Sequence, residues 1–449
     1  MNNNSTHHRH LIFYIDKMNT IRHKRFDLEL LQQTAYRYRL ADSVQNLSHQ
    51  KNISVFSWWI SFRTIPMILL CTGLALIPAD YAKAAGTNFF SATQVDVIPM
   101  GSNRLVRAVN DNGDIAGTVR KEDHRGPSGI VWRKDGLTEV INNDKQARKK
   151  PAGILGEEEA KLRKGEDYST ASAINNNLQV VGSMNTTTGM QAYRTDAQGN
   201  PVLLELPLGD TGSAALAINL AGKTTGWSSG PDGIRAVIWS PAGEAQILPR
   251  LPGSKSCRGQ AINNSGDIAG VCDTVSGLRA VLWGGGSDKT AFDLGTLPGD
   301  SWSEASGINN RGDIVGASGL TGGDHHAVIW PKGGAIEELG TLTGHTSSKA
   351  LAINNTGEVV GISEYNSNGH ISDERAFMWT EQRGMEDLND LVLSSSDFVL
   401  SHAIAISPRG LITAVGRHLD PDAEGHAHGT HELPLQVFRL SPQQLGRAK

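Results

Sequence analysis

Histidines cluster at two places in the second half of the chain, and neutral imidazole nitrogens are common ligands of divalent metals. His325 and His326 follow Asp324 directly. A second group is spaced H-x-H-x-x-H beside acidic residues and comprises His426, His428 and His431, with Asp420, Asp422 and Glu432 nearby. All five histidines are candidate ligand contacts, and the last three are candidate metal ligands. Both stretches also fit solvated loops without a bound ligand, and the two interpretations stay open.

Other short motifs predict no reaction. The sequence contains no nucleophile elbow, phosphate loop, dinucleotide fingerprint or zinc-protease helix. Arg311-Gly312-Asp313 spells a cell-adhesion tripeptide, but the same turn position holds Asn112, Ser265 or Thr356 elsewhere in the chain, which favours a variable turn residue. We therefore predict no catalytic residues and no cofactor other than the divalent metal considered above.

A ten-residue motif recurs along the chain and predicts a repeat architecture. Its clearest copy, AINNSGDIAG, begins at Ala261. Counterparts begin at Ala108, Ala173, Ala217, Gly307, Ala352 and, in degraded form, Ala405. The seven copies are mostly about 45 residues apart, the usual length of a four-stranded propeller blade.

The chemistry of the motif predicts a hairpin turn. Its asparagine can bond to its own backbone two residues on, and the glycine three positions later tolerates positive φ. That glycine is present in six copies and is replaced by Leu178 in the second. A second glycine, four residues further on, would let neighbouring backbones approach closely.

Two more strand patterns follow each turn. One ends on an aromatic residue, as in Ala280–Trp283, and the other resembles Phe292–Gly299, FDLGTLPG. Four short strands repeated seven times predict an all-β fold, a β-propeller of seven four-stranded blades over residues 92–441. A linear β-solenoid is the alternative. We expect a closed ring, because Val95–Gly101 matches an outermost strand and the chain ends on a third strand, Val437–Leu440, that lacks one.

These units resemble the HAF-type extracellular repeat family, which is named for a His-Ala-Phe-like strand. The closest forms here are His326–Trp330 (HAVIW) and Arg375–Trp379 (RAFMW). The resemblance implies secretion and a propeller-like fold. It implies no reaction and no catalytic residues.

The N-terminal region, residues 1–84, predicts export. An apolar run at Met67–Pro78 has the length of a signal-peptide core, and Ala82-Lys83-Ala84 has small residues where a signal peptidase needs them. We expect cleavage after Ala84 and a secreted, cell-surface or periplasmic protein of a Gram-negative bacterium. An uncleaved anchor from Ile53 to Pro78 is the alternative.

Two cysteines remain after cleavage, Cys257 and Cys272. A hairpin centred at Asn264-Ser265 places them opposite each other, and an exported protein permits a disulfide. A glycine bulge at Gly266 would shift the register by one and separate them. A bridge and two packed free thiols therefore both remain open.

The net charge and the loops limit the classes of partner and the place where a ligand can bind. The formal net charge of −4 gives no field that favours nucleic acid, so we predict no such partner. A charged insertion, residues 142–167, separates the first two repeats and predicts a solvated loop. The variable loops Gly319–His326, Glu364–Glu374 and Arg417–Leu433 lie at the end of the ring opposite the Asn-x-x-Gly turns, where we expect ligand contact.

Two functional hypotheses follow. The first is a binding or scaffolding module for an extracellular or periplasmic protein or glycan. The second is an exported propeller enzyme that acts on glycans or other polymers through carboxylates or a metal at one end of the ring.

Overall fold

The computed structural model describes residues 89–97, 105–120, 127–141, 148–151, 168–287, 289–367, 370–393, 397–419 and 435–443. The signal segment 67–78 and the cleavage site after Ala84 lie outside these ranges. Within them, no helix is both long and apolar enough to cross a membrane.

The described chain forms seven antiparallel sheets that follow one another in sequence, and this confirms the all-β, seven-bladed propeller. Blade 1 contains β2 (Leu105–Val109), β3 (Ile115–Arg120), β4 (Pro127–Trp132), β5 (Leu137–Ile141) and β6 (Arg148–Pro151). Blade 2 contains β7 (Ser169–Ile174), β8 (Val180–Thr186), β9 (Gly189–Thr195) and β10 (Pro201–Leu203). Blade 3 contains β11 (Gly212–Ile218), β12 (Thr224–Gly230), β13 (Gly233–Trp239) and β14 (Ala245–Ile247).

The next three blades repeat this order. Blade 4 contains β15 (Ser254–Ile262), β16 (Ile268–Thr274), β17 (Gly277–Trp283) and β18 (Ala291–Asp293). Blade 5 contains β19 (Trp302–Ile308), β20 (Ile314–Gly319), β21 (His325–Trp330) and β22 (Glu337–Gly340). Blade 6 contains β23 (Ser347–Ile353), β24 (Val359–Ser367), β25 (His370–Thr380) and β26 (Gly384–Asp387), and a 3-10 helix (Leu388–Leu391) follows it.

Blade 7 combines the two ends of the described chain. Its sequential strands are β28 (Phe398–Ile406), β29 (Ile412–His418) and β30 (Gln436–Gln443). Strand β1 (Phe89–Val97) pairs antiparallel with β30, and the short β27 (Val392–Leu393) pairs parallel with β1. The paired segment begins six residues before the expected Val95, and residues 98–101 lie outside the described ranges.

Blades 7 and 1 are also in direct contact. Val415 and Val437 of blade 7 share a core cluster with Ile115 and Trp132 of blade 1. The Trp132 indole N–H donates to Asp96 of β1 over 2.8 Å. The first and last blades are therefore packed neighbours in the ring.

The Asn-x-x-Gly segments form the turns between the first and second strands. In blade 1, the Gly113 amide donates to the Asn110 carbonyl over 3.0 Å, and the Asn110 side-chain oxygen accepts from the Asp114 amide over 2.9 Å. The turn glycine has positive φ, for example +87° at Gly113. Leu178, which replaces it in blade 2, has φ +64° and is the one non-glycine residue with positive φ in the described chain.

The same asparagines also join neighbouring blades. The side-chain amide of each donates to the backbone carbonyl of its counterpart in the next blade, over 3.0–3.3 Å. The five donors are Asn110, Asn175, Asn219, Asn263 and Asn309. In blade 7 a serine takes this position, and the Arg409 amide donates instead to Asp111 of blade 1 over 2.9 Å.

A buried serine makes a second type of junction, near the start of the innermost strand. Its hydroxyl accepts from the backbone amide of the third strand in the preceding blade. In three cases that amide belongs to an alanine, namely Ala192, Ala280 or Ala327. The serines are Ser169, Ser213, Ser303 and Ser348, each 2.9–3.0 Å from the donor. The small residues of the repeat are therefore required by inter-blade bonding.

Blade 4 has Cys257 at this serine position, and Cys257 is bonded to Cys272 in a disulfide with an S–S distance of 2.03 Å. The turn itself pairs Ile262 with Ile268, a register one residue away from the one that joins the cysteines. A bulge at Gln260 then restores the register that joins them. The register shift considered from sequence therefore exists, and a second irregularity compensates for it.

The charged insertion after blade 1 is partly regular. Strand β6 lies within it and pairs antiparallel with β5, adding a fifth strand to that blade. The expected solvated loop therefore contains a strand. A four-stranded sheet leaves its outer edge unpaired, so an adjoining segment can satisfy those backbone groups.

Candidate functional site: the central channel

The innermost strands of the seven blades surround a channel, and the repeat places equivalent residues in layers along it. The residues one and three positions before each turn asparagine, or before Ser407 in blade 7, line it at two successive depths. The first residue is β-branched in every blade: Val109, Ile174, Ile218, Ile262, Ile308, Ile353 and Ile406. These seven side chains line a small cavity of about 250 Å³ next to the asparagine turns.

The third residue before the asparagine differs in chemical type among the blades. In every blade it lines the same second cavity, which is larger than the first. The seven residues are Arg107, Ser172, Leu216, Gln260, Ser306, Leu351 and Ile404. This cavity has a volume of about 900 Å³. Pro127 begins the third strand of blade 1, and Met190 is next to the start of the third strand of blade 2. Both residues line the cavity, so the cavity lies towards the end of the ring away from the asparagine turns.

Each residue of this layer is the extra residue of a β-bulge. In all seven blades the register between the first and second strands shifts at this position, as between Val106 and Ala108 around Arg107. A bulged residue is left out of the ladder and its side chain is re-aimed. The bulges therefore direct one chosen side chain per blade into the cavity.

The second glycine of the repeat makes room for this geometry. A Cβ atom at Gly226 would lie 2.0 Å from the Ala214 carbonyl oxygen, and one at Gly316 would lie 1.9 Å from the Glu304 carbonyl oxygen. Real side chains never approach so closely. Glycine is needed because the bulged inner strand runs unusually near the second strand.

Aromatic and polar residues of blades 1 to 3 line one side of the large cavity. Trp227 follows the second glycine of blade 3, where the other blades carry Thr118, Ser183, Val271, Ala317, Ile362 and Val415. Tyr168, next to strand β7, and Met190 lie in the lining beside it. Blade 3 therefore departs from the repeat with one large aromatic side chain at the channel.

Arg107 is a cation that lines this cavity. Among the residues that the structure describes, none makes an ion pair or hydrogen bond with its guanidinium group. Burial among the surrounding blades lowers its pKa, although the side chain stays accessible to solvent in the cavity. Arginine remains positively charged in proteins, so Arg107 leaves an unneutralised charge at the cavity wall.

An ion pair lies on the opposite side of the lining. Glu304 of blade 5 and Lys349 of blade 6 form an ion pair, and both line the cavity. His325 lies close to them, with its ring 5.8 Å from that of Trp302. Burial, followed by the Lys349 charge, lowers the pKa of His325 and favours neutral imidazole at pH 7.

Blade 6 brings two carboxylates together. Glu364 and Glu374 are direct partners across β24 and β25, and directly opposed side chains lie on the same face of a sheet. Burial and the neighbouring Glu374 raise the pKa of Glu364. The Glu374 carboxylate also lies 3.9 Å from Nε2 of His402. Glu364 and Glu374 bound a segment that the sequence predicted to be a variable loop, but most of it is strand, in β24 and β25.

The structure does not bring the predicted histidines together. His325 and His326 are consecutive in β21, so their side chains point to opposite faces, and Nδ1 of His326 lies 3.7 Å from Glu338 on the outer strand. His426, His428 and His431 lie outside the described residues. Within the described ranges, no group of three or more His, Cys, Asp or Glu side chains is placed to hold a metal ion.

Sequence reasoning missed the residues that line the cavity. Arg107 and Trp227 stand inside the repeat, at positions treated as ordinary strand residues. Their signal was present, because these positions vary from blade to blade while the surrounding alanine, asparagine and glycine recur. Only the bulge explains why variation there reaches the channel.

Several solved propeller proteins resemble this chain in fold. A catalytically inactive virginiamycin B lyase from Staphylococcus aureus, solved with quinupristin, is 12% identical over 78% of this chain and 99% of its own, with a TM-score of 0.43. An oligogalacturonate lyase in complex with manganese is 9% identical over 80% and 97%, with a TM-score of 0.45. The propeller domain of the Trilobed protease from Pyrococcus furiosus is 10% identical over 80% and 98%, with a TM-score of 0.43.

These likenesses concern the fold alone. No family model matches the chain, and no curated protein sequence matches it. The resemblance to HAF-type repeats therefore stays an expectation from the sequence.

Proposed function

We propose that this protein is an exported binding module and that its ligand enters the 900 Å³ cavity of the channel. The observation that carries the proposal is the layer of seven bulged residues, whose side chains are of five different types in an otherwise repetitive ring. A purely structural channel needs no such variation, because the neighbouring layers are nearly uniform.

The size and lining of the cavity support this proposal. Ligand pockets usually enclose about 300–1,000 Å³ and combine apolar walls with a few polar groups. Here Leu216, Leu351 and Ile404 supply apolar surface, and Arg107 and Gln260 supply polar groups. A rigid ring of blades also holds these side chains in place before a ligand arrives.

A blocking substitution tests the location of the site. Ser172→Trp would place an indole in the cavity at a position where blade 3 already carries the larger Leu216. Thermal-shift screening of metabolites, peptides and glycans against the purified protein should find ligands whose stabilisation disappears in this variant. Ala197→Trp is the matched control, because Ala197 is an exposed turn residue at the other end of the ring. Ligands that stabilise both variants equally would place the site elsewhere.

Export is part of the proposal and rests on the apolar run 67–78 and the small residues before Ala85. Mass spectrometry of the secreted or periplasmic protein should find a chain that begins at or near Ala85. Recovery of the intact chain in the membrane fraction would instead support the anchor from Ile53 to Pro78. Membership of the HAF-type extracellular repeats would agree with the first outcome.

Metal or ligand binding by the histidine loops is the second part of the proposal. Replacing His325, His326, His426, His428 and His431 together with alanine should weaken zinc or ligand binding without unfolding the ring. Equal zinc binding by the wild type and this variant, measured by titration calorimetry, would remove the histidines from the site.

A propeller enzyme is the second candidate function, and the Glu364–Glu374 pair favours it. A carboxyl group with a raised pKa beside a second carboxyl group is an arrangement that general acid–base chemistry uses. If glycan screening finds turnover, Glu364→Gln should abolish it, whereas the exposed outer-strand variant Glu337→Gln should not. Turnover that survives Glu364→Gln would exclude this pair as its source.

A further inference from the structure

We propose that the large cavity binds an acidic saccharide, with Arg107 contacting the carboxylate and Trp227 packing against the sugar ring. This inference rests on the proposed function, since it assigns a ligand class to the same cavity. It is carried by three features of the lining: a guanidinium with no partner among the described residues, aromatic side chains of blades 2 and 3, and neutral hydroxyl and amide groups.

The first feature is the charge of Arg107. The side chain of Arg107 stays accessible to solvent in the cavity, so a bound anion can reach its guanidinium group. Guanidinium presents two parallel N–H groups that match the two oxygens of a carboxylate. Lys349 already has a counterion in Glu304. The local excess of positive charge therefore lies on the side of Arg107.

The second feature is the side of the cavity formed by blades 2 and 3. Trp227, Tyr168 and Met190 all line the cavity there. The flat face of an indole is an apolar surface with a rigid orientation, and it suits the apolar C–H face of a pyranose ring. The Tyr168 side chain adds a hydroxyl group at the edge of the same wall.

The third feature is the number of neutral hydrogen-bonding side chains. The lining contains Thr118, Thr170, Ser172, Ser183, Gln260 and Ser306. Thr170 and Ser183 bond to each other, and Thr118 accepts from the Ala171 amide. Ser172, Gln260 and Ser306 are therefore the groups that can bond to the vicinal hydroxyls of a sugar. A purely aromatic or aliphatic acid would leave most of these groups facing an apolar surface.

The test compares four probes by titration calorimetry with the full-length protein. Galacturonate and its short oligomers carry both the carboxylate and the hydroxyls, and galactose is their neutral counterpart. Phenylacetate offers a carboxylate with an apolar ring, and inorganic sulfate is a bare anion. We expect the uronate probes to bind at least about tenfold more tightly than galactose, phenylacetate or sulfate, with a preference over galactose that falls as salt rises.

Two substitutions taken from other blades separate binding from folding. Arg107→Gln introduces the residue of blade 4 at this position, and Trp227→Thr introduces the residue of blade 1. Arg107→Gln should lower uronate affinity about 10- to 100-fold and remove the preference over galactose. Trp227→Thr should weaken the uronate and galactose alike. Arg311→Gln makes the same change of charge on a turn at the other end and should leave affinity unchanged.

Each contrary result is distinct. Equal binding of galactose and galacturonate, or tighter Arg107-dependent binding of phenylacetate or sulfate, would overturn the acidic saccharide. Failure of all four probes, while other ligands remain sensitive to Ser172→Trp, would overturn this inference and leave the proposed function standing. If no ligand is sensitive to Ser172→Trp, the proposed function itself fails.

Discussion

Cys257 lies directly opposite Cys272 across strands β15 and β16, with Cα atoms 4.1 Å apart, and the bulge at Gln260 sets this register. Blades 3, 5 and 6 have buried serine pairs at the same two positions: Ser213 and Ser228, Ser303 and Ser318, and Ser348 and Ser363. The cysteine pair is therefore a covalent version of a contact that the repeat makes with hydroxyl groups.

This relationship predicts how the bridge behaves. Thiol titration of the denatured mature protein without reductant should find no free thiols. The double variant Cys257→Ser, Cys272→Ser should still fold, because other blades carry that pair, with a free energy of unfolding lower by up to about 3 kcal/mol. Two free thiols per mature chain would refute the bridge. A double variant as stable as the wild type would show that the bridge adds nothing.

Restoring glycine in the strained turn of blade 2 should stabilise the protein. Leu178 has φ +64°, a conformation that costs a side chain with a Cβ atom about 1–2 kcal/mol. Leu178→Gly should raise the free energy of unfolding by about 0.5–1 kcal/mol, after the entropy of the added glycine is subtracted. Leu220→Gly, in the corresponding turn of blade 3 without positive φ, is the control and should destabilise the protein in urea unfolding.

In the six blades that carry it, the glycine opposite the bulge should not tolerate a methyl group. Gly316→Ala would bring a Cβ atom against the Glu304 carbonyl and displace the strand that carries Ser306. We expect a loss of about 3 kcal/mol or more. Gly286→Ala, which meets open space, should change the midpoint of denaturant unfolding little. Equal effects of the two substitutions would contradict the crowding argument.

Removing strand β1 should destabilise blade 7. Phe90 is buried among Phe398, Phe438 and Leu440, and its strand covers the edge of β30. A chain beginning at Leu105 should aggregate or unfold at much lower temperature than one beginning at Gly86, because it has an unpaired edge and an uncovered apolar face. A monomeric truncated chain of equal stability, measured by light scattering and calorimetry, would rule out closure by this segment.

The carboxylate pair predicts a pH-dependent effect on stability. Burial and Glu374 raise the pKa of Glu364, so the folded state favours the protonated form. The stability that Glu364 contributes is therefore present at low pH and lost as pH rises through the folded pKa. Glu364→Gln should raise the melting temperature at pH 7, and the gain should shrink towards pH 4. Glu337→Gln, on the exposed outer strand, provides the baseline, and a gain that is constant with pH would contradict this assignment.

The sequence by itself determined the number of blades, the order of strands within each blade and the turns between the first two strands. These features depend on local chemistry: Asn and Gly at the turn, alternating small and branched residues, and an aromatic residue at the end of the third strand. The sequence also showed the exception in blade 2, where Leu178 replaces the turn glycine.

Tertiary structure alone decided which residues face the channel. A simple alternation of strand side chains does not identify Arg107 or Ser172 as cavity residues, because a bulge interrupts the ladder at that position in all seven blades. In six blades the bulge lies opposite a glycine of the second strand, which permits the close backbone approach, and in blade 7 Ala414 takes that position. Likewise, the adjacent histidines in β21 diverge because consecutive strand residues point to opposite faces, whereas Arg107 and Trp227, far apart in sequence, meet one cavity because the ring brings blades 1 and 3 around the same axis.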